Sequence, residues 1–119
     1  MKGVREYQEA AVGTQNKGRL IVMLYEGAVK FMKMAVKEIE EGNYEAKNNH
    51  IIKTQDILNE LNAVLDMDAG GEIAANLRNL YNFMHKNLVD ANVQNDTAKI
   101  QEVIELMEEL NKGWKAITS

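Results

Sequence analysis

Apolar residues recur at intervals of three and four along most of the chain, and four stretches hold that rhythm long enough to predict helices. The first runs from Asn16 or Lys17 to Glu41 and stops at Gly42-Asn43, a common helix ending. The second covers Tyr44 to Leu65, with Ile51, Ile57, Leu58, Leu61, Val64 and Leu65 on one stripe. Asp66 to Gly71 reads as a break, and a third helix over Glu72–Asn92 aligns Ile73, Leu77, Leu80, Tyr81, Met84 and Leu88. Asn95-Asp96-Thr97 offers a turn and an N-cap for the fourth, Ala98 to Ile117, whose stripe is Ile100, Val103, Ile104, Met107, Leu110, Trp114 and Ile117. No stretch alternates with period two for long. Four helices of roughly 30–37 Å joined by short loops predict an all-α, antiparallel up-down four-helix bundle over residues 17–119.

Residues 1–16 stand apart as a leader. Val4, Tyr7 and Ala11 share a helical face, and Gly13 ends the pattern. A segment that short is marginal without a surface to dock on. The expectation is a movable flap that covers an apolar groove, with Val4, Tyr7 and Ala11 as its contact ridge; the alternative is a frayed terminus without a role.

The first helix carries more apolar surface than one neighbour needs. Leu20, Ile21, Leu24, Ala28, Phe31, Ala35 and Ile39 form the expected core stripe. Tyr25, Val29, Met32 and Val36 widen it on one side, and Met23, Gly27 and Met34 on the other, to an arc of roughly 240° where about 100° is usual. Two readings stay open: a central helix touched by several neighbours, or an arc left partly uncovered for an apolar partner. Met23, Val29, Met34, Ile52 and Phe83 are the candidate groove contacts, because the first three edge the arc and the last two fall off their own helices' stripes. Leu24, Phe31, Leu61, Leu77, Leu80 and Leu110 are the expected core.

Composition narrows the chemistry. The chain has 119 residues, 45% of them apolar, with no proline and no cysteine, which fits one globular domain without disulfides or thiolate chemistry. A formal net charge of −4 and the lack of a basic cluster argue against a nucleic-acid partner. The most apolar stretch, Leu20 to Val36, carries Glu26, Lys30 and Lys33, so no membrane insertion is expected. The start of the chain lacks a secretory signal's apolar core, and a cytosolic protein is the expectation. The only serine is Ser119, and no phosphate-binding glycine loop occurs. Glu-x-x-His pairs fail at Lys47 and Asn82, and a calcium-loop reading of Asp66, Asp68 and Gly71 fails at Leu77. No catalytic residue, metal site or cofactor is therefore expected, and His50 and His85 read as solvated surface residues.

The run Leu20-Ile21-Val22-Met23-Leu24-Tyr25-Glu26-Gly27-Ala28 followed by Phe31 resembles the first-helix signature of the FliS family of flagellin-specific export chaperones. Leu61–Leu65, Gly70-Gly71-Glu72-Ile73-Ala74-Ala75-Asn76-Leu77 and Leu80-Tyr81 resemble its second signature, and Tyr7-Gln8 and Trp114 also fit. Gln15-Asn16-Lys17-Gly18 stands where family members often have Ser-Pro. The resemblance implies a cytoplasmic chaperone, monomeric or weakly homodimeric. It would bind the disordered C-terminal segment of flagellin, prevent premature polymerisation and deliver the cargo to the export gate protein FlhA. The residues alone also allow a generic four-helix adaptor or signalling module that binds an amphipathic helix of another partner.

Overall fold

The computed structural model of the protein describes the backbone from Lys2 to Thr118 and the side chains from Gly18 to Thr118. Four helices follow one another: α1 (Lys2–Glu40), α2 (Tyr44–Ala63), α3 (Met67–Gln94) and α4 (Thr97–Thr118). Helix α1 packs along α2 and α4, and α3 packs along the same two, so α1 and α3 face each other across the diagonal of the bundle. Among the described residues no helix is long and apolar enough to cross a membrane.

Local chemistry sets the helix ends. Gly42 after α1 and Asn95 after α3 adopt positive φ, +76° and +54°, as residues that end helices in a left-handed turn do. Asp66 caps α3 by accepting the Ala69 amide at 2.9 Å, and Asp96 does the same for Lys99 at the head of α4 at 3.2 Å. Lys47 donates to the Asn92 carbonyl at 2.9 Å in the last turn of α3, where a cation meets the negative end of the helix dipole. Burial of that ammonium lowers its pKa.

Helix α3 has a break where the sequence predicts one. Gly71 takes φ +51° and ψ −126°, outside the helical region. That backbone suits glycine and strains any L side chain. Asp66 therefore caps one turn, and the long run of α3 starts at Glu72.

Helix α1 starts earlier than the periodicity implies, at Lys2 instead of Asn16 or Lys17. With no proline in the way, a glycine at position 13 costs a helix about 1 kcal/mol relative to alanine, too little to end it. A Cβ on Gly18 would collide with the Thr118 side chain, so α1 passes the end of α4 at that point. The side chains of Val4, Tyr7 and Ala11 lie outside the described ones.

The core is one continuous cluster. Tyr25, Met32, Ile51, Leu58, Leu61, Tyr81, Met84, Leu88, Ile100, Ile104 and Met107 are almost fully buried. Relative to expectation, the buried face of α1 is rotated toward Tyr25 and Met32. Leu20, placed on the core stripe by periodicity, is 44% exposed, whereas Tyr25 and Met32 at the stripe's edge are wholly enclosed. The cause lies across the diagonal: the Tyr25 and Tyr81 hydroxyls meet at 2.6 Å in the bundle interior. Of the six expected core residues Leu61 is buried, Leu24, Leu77, Leu80 and Leu110 pack partly covered against the core, and Phe31 is half-buried. Ile73 and Ile117 fall at the ends of their stripes and are exposed.

His50 is not a free surface residue. Its Nδ1 lies 2.5 Å from Glu38 Oε1 between α1 and α2, and its ring stacks on Phe31 with centroids 5.8 Å apart. Lys53 approaches the Phe31 ring at 5.4 Å. His85 is also half-covered.

Candidate functional site

Helices α1 and α4 do not close on each other along their outer edge. Between them lies an open groove of about 680 Å³, lined on α1 by Glu26, Val29, Lys30, Lys33, Met34 and Lys37 and on α4 by Glu108, Asn111, Lys112 and Lys115. Spacings of three and four residues put each set on one helix face. From Glu26 to Lys37 the groove follows α1 for about 16 Å, close to three helical turns.

The walls have a definite character. Val29, half-buried and packed against the core, and Met34, still 38% exposed, supply the apolar surface. Five lysines and two glutamates surround it, a basic surround on a chain of net charge −4. Two ion pairs tie the walls together, Lys33–Glu108 at 3.4 Å and Glu26–Lys115 at 3.8 Å. All four partners are about half exposed, so these pairs hold the walls weakly. Lys112 pairs with Glu109 on its own helix and Lys37 with Glu41.

Asn111 is the unusual member. It sits on the buried stripe of α4, four residues after Met107 and seven after Ile104, and is only 5% exposed. Its Oδ1 is enclosed and has no hydrogen-bond partner among the described residues. A buried amide oxygen without a partner costs about 1–3 kcal/mol. Asn62 and Asn95 also carry unpartnered buried oxygens, but neither lines this groove.

The five candidate groove residues do not gather in one place. Val29 and Met34 line this groove. Met23 stands 67% exposed on the outer face of α1, eleven residues before Met34 and so on nearly the same side of the helix. Ile52 on α2 and Phe83 on α3 are exposed at 43% and 45%, outside the groove. Phe83 belongs to the helix diagonal to α1.

A second, smaller cleft of about 190 Å³ lies at the α2–α3 turn. Ile21, Leu61, Leu65, Ile73, Leu77, Tyr81 and Trp114 are among its lining residues. It is almost wholly apolar and lies beside the break at Gly71. Among the described residues no cluster of histidines and carboxylates suits a metal ion.

Periodicity marked the edge of the apolar arc, where Val29 and Met34 sit, but passed over Asn111 and the lysines. The available signal was a single polar residue on an otherwise apolar stripe, together with basic residues at three- and four-residue spacing on two separate helices.

The whole chain, residues 1–119, matches the family described as flagellar protein FliS. It is 38% identical to the flagellar secretion chaperone FliS of Bacillus subtilis over 109 residues, covering 92% of this chain and 80% of that protein. It is 37% identical to the protein of the same name from Salmonella typhimurium, covering 98% of this chain and 90% of the relative. Identity to the flagellar secretion chaperone FliSB of Pseudomonas aeruginosa is also 37%, over 99% of this chain and 97% of that one.

Proposed function

The chain belongs to the FliS family, one of secretion chaperones and not of enzymes, and on that footing we propose that it binds the disordered C-terminal segment of flagellin in the cytoplasm. Holding that segment prevents premature polymerisation, and the complex is delivered to the export gate through FlhA. The observation that supports this reading is the uncovered apolar side of α1. Met23 and Met34 stay exposed and Val29 half-covered beside an open groove. Methionine suits such a surface because its flexible, polarisable side chain adapts to the apolar face of an incoming helix. The leader serves as a flap in the free protein, with Val4, Tyr7 and Ala11 as its contacts, and cargo displaces it.

Calorimetry and circular dichroism on a mixture of the chain with a flagellin C-terminal segment test the reading. One-to-one binding is expected, with a negative heat-capacity change from apolar burial and a gain in helicity from coupled folding. Absence of binding would sink the assignment, and binding without added helicity would remove the coupled folding.

A further inference from the structure

The α1–α4 groove has two features that a plain apolar slot lacks: a surplus of positive charge and a buried amide with an unmet oxygen. Each constrains what can lie there. Lysines on both walls, among them Lys30 and Lys33 on α1 and Lys112 and Lys115 on α4, favour carboxylates along the two edges of an occupant. The apolar floor of Val29 and Met34 favours aliphatic side chains between those edges. The length along α1 matches about three turns of helix.

Asn111 adds a position. Its amide lies on the stripe that faces the bundle, yet it also lines the groove, and its Oδ1 finds no partner in the described chain. The two ends of a carboxamide are interchangeable by rotation about its last bond, so Asn111 can offer either its oxygen or its N–H to the groove. The complementary group is one that donates and accepts at once, a second carboxamide. One asparagine on an otherwise apolar helix seam fixes register, because any other alignment leaves that amide facing hydrocarbon.

We propose that this groove seats an amphipathic partner helix whose apolar face is flanked by Asp or Glu and carries one Asn or Gln near its centre, and that Asn111 sets the register of that helix. The inference rests on the cargo-binding reading above and assigns the chemistry of the cargo segment that enters this groove.

The test uses the full chain and three synthetic helical peptides of about 15 residues, four turns. The first has Glu flanks and a central Gln, the second has Lys in place of every Glu, and the third has Leu in place of the Gln. The acidic Gln peptide should bind at least about tenfold more tightly than the Lys peptide, with an affinity that falls as salt rises. Lys30→Glu with Lys112→Glu, both exposed, should erase that difference. The wild-type chain should prefer Gln over Leu, and Asn111→Leu should abolish or invert the preference. Equal binding of the acidic and basic peptides, or a Gln preference unchanged by Asn111→Leu, overturns the proposal. A flagellin C-terminal segment is titrated in parallel to separate the two readings. If it binds while the peptides show no charge or amide preference, this inference falls and the chaperone reading stands. If the peptide preferences hold and the flagellin segment does not bind, the groove assignment stands and the cargo is another helix.

Discussion

Two of the places where this bundle buries polar atoms treat them in opposite ways. On the α1–α3 diagonal, Tyr25 and Tyr81 bring their hydroxyls together at 2.6 Å, with the Trp114 ring tilted against Tyr25 at a centroid distance of 6.3 Å. The chain satisfies those groups itself. In the α1–α4 groove, Asn111 is enclosed to nearly the same degree and its oxygen has no partner among the described residues. The first arrangement joins helices whose backbones do not approach closely among the described residues. The second leaves a deficit at an opening whose lining mixes apolar and basic side chains. Burial alone does not distinguish structure from recognition; at Asn111 an unmet oxygen coincides with an open groove, which is not so at Asn62 or Asn95.

The comparison breaks most visibly if the tyrosine pair is dismantled. Tyr81→Ala removes a wholly buried ring and should cost about 3–5 kcal/mol, in the range of large aromatic truncations. Met34→Ala, at the exposed edge of the groove, should change stability by no more than about 0.5 kcal/mol, as surface substitutions do. Urea melts of both variants check it. Similar losses from the two would mean that the groove wall is part of the core.

A finer cut removes one hydroxyl at a time. Tyr81→Phe strands the Tyr25 hydroxyl in the interior, which should cost about 1–3 kcal/mol, and adding Tyr25→Phe should recover part of the loss. Alkaline pH makes a related test. Burial raises the pKa of both phenols, and for Tyr81 the hydroxyl and charge of Tyr25 raise it further. An unfolded tyrosine releases its proton near pH 10.0, while the folded pair still holds its protons. The unfolded state therefore binds fewer protons above that pH, and stability, fully present below it, falls as pH rises. Denaturant melts from pH 8 upward should show a steeper alkaline loss in the wild-type chain than in the double Phe variant. Parallel curves would mean that the hydroxyls are not enclosed.

Much of this architecture was legible in the chain itself, because helix stripes and breaks are local properties. Leu58, Leu61, Met84 and Leu88 repeat at helical spacing, and Gly42-Asn43 and Gly70-Gly71 mark turns. The rotation of α1 was not legible. Tyr25 sits at the edge of a wide apolar arc, and what draws it inward is a hydroxyl 56 residues away on the diagonal helix. The groove was half legible. Periodicity placed Val29 and Met34 at the margin of the arc, but which margin remains open depends on how α4 docks. Asn111 is a single polar residue beside the apolar stripe of α4, and the lysines stand among other charged positions, so no local pattern marks either. Their meaning arises only when two helices separated by the rest of the chain face each other. His50 was missed for the same reason, since Glu38 and Phe31 reach it from another helix.

The smallest expected effect is also the sharpest, because it repeats one operation and predicts the opposite sign. Tyr81→Phe and Asn111→Leu each delete the polar character of a buried side chain while keeping most of its volume. At Tyr81 the deleted group has a partner, so the change leaves that partner unsatisfied and stability falls. At Asn111 the oxygen has no partner among the described residues, so its removal strands nothing and relieves a standing desolvation cost. Leucine is also the better helix former and suits the apolar positions around it, Met107 and Trp114. Asn111→Leu should therefore leave stability unchanged or raise it by up to about 1 kcal/mol, even as the variant loses its discrimination among partner helices. Chemical denaturation of the free protein reads this directly. A loss as large as that of Tyr81→Phe would show that Asn111 already has a partner within the fold, and the distinction between the two buried sites would collapse.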